Sequence, residues 1–298
     1  MGIGDGRPLL ILSAVFLAGC GAFAIFQAAT GHFLPHDAVY LGMTAPQLCA
    51  LQGCRILDFM IHDRVSFGGV LVAIAVLYLW VALFPLRRRE SWAWWALALS
   101  GLAGFLSFLA YLGYGYLDTW HGAATLSLLP MYIVGMIRAR ELRCERVGPM
   151  PLDLRSSTGI GRGLLFLTSV GVSAAGLTIM TVGMTSVFVP QDLEFMGVTR
   201  EVISAINPHL VPLIAHDRAG FGGALLSFGI AMLACMRYAR PSRALWQALT
   251  IAGVAGFATA IGVHPAIGYL SFSHLAPAVL GCVVFVVGLA LARPKEQE

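Results

Sequence analysis

The sequence predicts an all-α integral membrane protein of eight transmembrane helices, arranged as two parallel-repeat four-helix bundles. Three observations carry this. Of 298 residues, 58% are hydrophobic and only 11% charged, too little charge to cover a soluble domain of that size. Eight apolar stretches, at about 8–29, 62–85, 92–115, 119–138, 163–187, 214–236, 245–264 and 269–292, approach the roughly 20 residues that a bilayer span needs. Finally, the second half of the chain repeats the first.

The repeat is read block by block. His62-Asp63-Arg64 followed by Phe67-Gly68-Gly69 recurs as His216-Asp217-Arg218 followed by Phe221-Gly222-Gly223. Upstream, Phe33, Pro35 and Asp37 match Phe188, Pro190 and Asp192, and Gly42 and Thr44 match Gly197 and Thr199. Downstream, Gly115, Tyr116 and His121 match Gly268, Tyr269 and His274, the offset staying between 152 and 155. An even number of spans per copy gives both copies the same orientation. The division is therefore residues 1–138 with outward loop 30–61, a cytoplasmic linker at 139–162, and residues 163–298 with outward loop 188–213. In each outward loop, Thr44 or Thr199 is placed to cap a short interfacial helix, with Pro46 and Gln47 suiting the first of these.

Basic residues fix the expected orientation. Arg87, Arg88 and Arg89, then Arg138, Arg140, Arg143 and Arg146, then Arg237, Arg240 and Arg243, all follow even-numbered spans. By the positive-inside rule both termini are cytoplasmic, in a bacterial-type inner membrane. Topology accounts for these arginines, so no nucleic-acid partner is expected; the partner is the lipid bilayer. Leu17-Ala18-Gly19-Cys20 resembles a lipoprotein cleavage box, but cleavage there would destroy the first span and the symmetry. Cys49 and Cys54 lie together in the first outward loop, where oxidation is permitted; they are a disulfide or redox pair, or two unrelated thiols.

The candidate chemistry lies in four repeated histidines. His62, His121, His216 and His274 each open an even-numbered span near the outward face. Across a four-helix bundle, His62 can oppose His121, and His216 can oppose His274. Facing imidazoles suit the two axial positions of a haem iron, and a proton relay is the next use. Gly69 and Gly223, two turns after their histidines, permit close approach of a flat cofactor or of another helix. Arg64 and Arg218 could pair with propionates. Asp63 and Asp217 are expected to cap helix N-termini, and His32, His36, His209 and His264, without counterparts, to be surface or packing residues. Asp58, one turn before His62, is matched by Pro212. With Cys49 and Cys54 it makes the first half the more reactive one.

This layout resembles haem A synthase, a family with eight spans in two halves and a histidine pair in each half near the outer face. The family also has an acidic residue one turn before the first histidine, and bacterial members often have a cysteine pair in the first outer loop. The resemblance implies that His216 and His274 hold haem b. It implies too that His62 and His121 hold a haem substrate that is oxidised with the help of Asp58. From the residues alone, a di-haem electron-transfer protein fits equally. So does a transporter or accessory protein in which the histidines, with Asp37, Asp63, Asp192 and Asp217, handle a metal ion or protons.

Overall fold

The computed structural model describes residues 4–109, 111–116 and 119–294, and every regular element among them is helical. Helix α1 (Arg7–Ala29) leads to two short helices, α2 (Pro35–Leu41) and α3 (Ala45–Gln52), before the long α4 (Arg55–Leu83). Then come α5 (Ser91–Phe108), the single turn α6 (Tyr111–Tyr114) and α7 (Thr119–Ala139). The second half repeats the order: α8 (Ser157–Met184), α9 (Pro190–Met196), α10 (Arg200–Ile206), α11 (Leu210–Tyr238), α12 (Arg243–Ile267) and α13 (Phe272–Leu291).

Among the described residues, seven helices are long and apolar enough to cross a membrane: α1, α4, α7 (as Gly122–Leu142), α8, α11, α12 and α13. The stretch expected at 92–115 is a helix only to Phe108, followed after a break by α6. Gly115 then takes a left-handed conformation, φ +66°, which ends that segment before α7.

The short helices follow the repeated loop motif residue by residue. Pro35 and Pro190 each occupy the first turn, where a missing N–H costs nothing. Gly42 and Gly197 end α2 and α9 at φ +62° and +69°, the left-handed stop that glycine adopts without strain. Thr199 caps α10 as expected, its Oγ1 accepting from the Val202 N–H at 3.4 Å, whereas at the start of α3 it is the Gln47 side chain that accepts, from the Thr44 N–H at 2.8 Å.

The two halves interlock. Helices α4 and α11 lie at the centre, buried along most of their length. Each packs against the first helix of its own half, α1 on α4 and α8 on α11, but the third helices cross over: α12 packs on α4, and α5 on α11. The four-helix bundle expected within each half is thus shared between halves. The paired glycines explain how. A Cβ on Gly68 would lie 2.7 Å from Gly21 O of α1, and one on Gly222 2.3 Å from Met180 N of α8. A Cβ on Gly69 would lie 1.8 Å from Thr259 Oγ1 of α12, and one on Gly223 2.1 Å from Ser107 of α5. One glycine of each pair seats the helix of the same half and the next seats the helix of the other. The space expected for a cofactor at Gly69 and Gly223 is therefore filled by Thr259 and Ser107.

Candidate functional site

Helices α4 and α11 begin at Arg55 and Leu210, so His62 and His216 sit about two turns inside them rather than at their starts. This moves Asp63 and Asp217 off the helix ends. Instead of capping, both are buried in two related ion-pair networks.

In the first network Arg64 Nε donates to Asp217 Oδ2 at 2.7 Å and Arg64 Nη1 to Asp37 Oδ2 at 2.6 Å. The Tyr116 hydroxyl donates to Asp37 Oδ1 at 2.6 Å, and His216 Nδ1 lies 2.9 Å from Asp217 Oδ1. The second network repeats it: Arg218 Nη1 bonds Asp192, Tyr269 donates to Asp192 Oδ1 at 2.8 Å, and His62 Nδ1 lies 3.0 Å from Asp63 Oδ1. Each arginine pairs with the short-helix aspartate of its own half, Asp37 or Asp192, and with the central-helix aspartate of the other. The repeated loop motif with Asp37 and Asp192, both fully buried, serves this purpose. Val187 adopts φ +68°, uncommon for a β-branched residue, and its carbonyl accepts from Arg218 Nη1 at 2.7 Å.

The networks are unequal. Arg218 Nε stands 3.4 Å from Asp63 Oδ2, and neither atom has a hydrogen-bond partner among the described residues. Across both networks two guanidiniums face four carboxyl groups, so the acidic groups outnumber the basic ones. Both arginines are thus paired with carboxyl groups of the protein itself. Tyr269, in the turn between α12 and α13, has its pKa raised by burial and by neighbouring Asp192; its hydroxyl remains a proton donor at neutral pH.

Beside the second network three imidazoles converge. One nitrogen from each of His62, His264 and His274 lies within 4.8 Å of the others. Ring centroids are 4.5 Å apart for His62–His264, 5.6 Å for His62–His274 and 5.3 Å for His264–His274, and Tyr269 stacks on His274 at 4.5 Å. The Nδ1 atoms face acceptors: Asp63 at 3.0 Å from His62, the Ala260 carbonyl at 2.7 Å from His264, and Asp192 at 3.9 Å from His274. A proton on Nδ1 leaves the Nε2 lone pair as the ligating position. His264 Nε2 is buried with no hydrogen-bond partner.

Sequence pairing placed His274 opposite His216. The structure places it beside His62, because α12 packs on α4 and the turn after α12 brings the start of α13 with it, while His216 faces Tyr116 at 5.1 Å. His121 is in the first turn of α7, and its side chain lies outside the described residues. The rings of His62 and His274 are 5.6 Å apart, and His264 lies 4.5 and 5.3 Å from them, so the three form a triangle. His264 was missed because its repeat counterpart is Tyr111. The available signal was that His264 and His274 flank the Gly268-Tyr269 turn, which folds the end of one helix onto the start of the next. Cys49 and Cys54 form a disulfide. Asp58 is half-buried in the first turn of α4, its N–H donating to Cys54 O at 2.8 Å.

The first half holds a cavity of about 490 Å³ between α1, α4, α7 and α11, with Arg64, His216 and Asp217 among its lining residues. Compared with family models, with curated proteins and with solved structures, the chain matches none.

Proposed function

We propose that this chain is a multi-pass membrane protein that binds one transition-metal ion through His62, His264 and His274 near the outward membrane face. In this reading the eight apolar stretches all span, the copies form a parallel repeat, and both termini are cytoplasmic. The observation that carries the proposal is the convergence of three imidazoles within 4.8 Å, each with its Nδ1 turned to a carboxylate or carbonyl. That backing orients a metal-ligating histidine and fixes its tautomer. Three neutral imidazoles without thiolate suit zinc, copper, iron or nickel, and leave a position open for a further ligand. The surplus carboxylates offset the charge of a divalent ion, and Asp63 Oδ2, buried without a hydrogen bond, stands closest to that role. A bound ion would supply Lewis-acid or one-electron chemistry. The residues themselves orient it, exclude water and hold a proton at Tyr269.

Metal analysis of protein purified in mild detergent tests this. About one equivalent per chain is expected, lost in His264→Ala and His274→Ala but kept in His32→Ala. Equal metal content in all four proteins would overturn the reading. The haem reading retains His216 as a ligand, and the cavity beside it favours it in size. A Soret band lost in His216→Ala and kept in His264→Ala would establish that alternative.

A further inference from the structure

The cavity in the first half has a composition that selects a ligand class. Its walls are apolar and aromatic, with Phe16, Phe23, Phe67 and Trp120 among them, and its polar residues include Arg64, His216 and Asp217 from the central helices. At about 490 Å³ it falls in the range of small-molecule sites, which are apolar with a few converging polar groups. Helices α1 and α7 form the outer wall and leave most of their surface unburied, so an apolar molecule can enter from the lipid. Phe23 and Trp120 stand 6.3 Å apart, in contact with each other, and both present aromatic surface to the cavity.

Charge decides the head group. Arg64 is bound by both Asp37 and Asp217 at 2.6–2.7 Å, so the polar groups there hold two carboxylates for one guanidinium. An anionic head would add to that surplus. A neutral head with oxygen acceptors adds none, and a guanidinium has five N–H donors, of which these two bonds use two. We propose that the cavity binds a neutral, lipid-soluble ring bearing carbonyl oxygens, the quinone class. Its head lies against Arg64 and His216 and its ring lies between the aromatic walls. The inference stands apart from the metal reading, because none of the three clustered histidines lines this cavity.

The test uses the full chain in lipid nanodiscs and decylubiquinone as the probe. Quenching of Trp120 is isolated by subtracting the signal of a Trp120→Phe protein. Saturable quenching is expected, weakened at least tenfold in Cys20→Phe, which places a ring in the cavity. Ala124→Phe serves the same purpose if Cys20→Phe unfolds at a lower temperature than the parent. His264→Ala should bind the probe as the parent does, so loss of the metal and loss of this site are told apart. Three outcomes overturn the proposal. One is quenching that rises without saturation and is equal in the filled variants. Another is tighter binding of laurate than of decylubiquinone. The third is a co-purified haem whose Soret band shifts in His216→Phe.

Discussion

Asp63 and Asp217 occupy equivalent places in the repeat, yet only Asp63 touches a residue of the histidine cluster, so exchanging each for asparagine is an internally controlled experiment. Asp63→Asn keeps the shape and removes the charge that holds the proton on His62 Nδ1, 3.0 Å away. Loss of such a backing group weakens metal binding about 10–100-fold, equivalent to about 1.4–2.7 kcal/mol. Asp217→Asn touches none of the three clustered imidazoles, and its effect on affinity should be below about threefold. For stability the order reverses. Asp217 makes a 2.7 Å bond to Arg64, whereas Asp63 stands 3.4 Å from Arg218. Breaking a buried pair costs about 3–5 kcal/mol, here nearer the low end because Arg64 keeps Asp37. Competition with a chromophoric chelator measures the first quantity, and thermal unfolding of metal-free protein in detergent measures the second. Equal loss of affinity in both variants, or none in Asp63→Asn, would refute the assignment of His62 as a backed ligand.

Other consequences are testable in the same preparations. Gly223→Ala brings a Cβ within 2.1 Å of Ser107 and should destabilise by about 1–3 kcal/mol, with partial recovery when Ser107→Gly is added; thermal melts decide it. Replacing Cys49 and Cys54 by serine opens a loop with a sequence separation of 5 and should cost about 2 kcal/mol of stability, read by denaturant titration under non-reducing conditions. Because the Tyr269 pKa is raised, its hydroxyl stabilises the fold fully below the ordinary tyrosine value of about 10. That contribution is lost as pH rises beyond it. A steeper stability loss above pH 10 in the parent than in Tyr269→Phe is expected, and parallel pH profiles would count against it.

Much of this architecture was legible in the sequence because it is local. The glycine and threonine that end one short helix and start the next act within a few residues, and repetition marks them twice. His62 and His274 were also singled out from the sequence, though not as neighbours of each other. What the sequence hid is which helix meets which. The crossing of α12 to α4 and of α5 to α11 rests on Thr259 and Ser107 filling the glycine notches, and nothing in linear order encodes a preference for the other half. That one omission misplaced the histidine pairing and left His264 unrecognised. Asp63 and Asp217 were misread for a different reason. Helix starts were placed at the apolar run, whereas the helices extend backward to Arg55 and Leu210, turning a terminal position into an interior one.

The exchange of partners between Arg64 and Asp217, and between Arg218 and Asp63, has a consequence for what counts as a unit of this protein. Each half supplies a cation for an anion it does not own and an anion for a cation it does not own. Severed from the other, either half would expose a self-complementary surface, with one unmatched aspartate and one half-matched arginine on the same helix. Two copies of such a fragment, related by a two-fold axis along the membrane normal, could satisfy each other with the same bonds. Within the covalent chain the two halves meet in the manner of an isologous contact, and its two faces differ, one holding a cluster of imidazoles and the other a cavity.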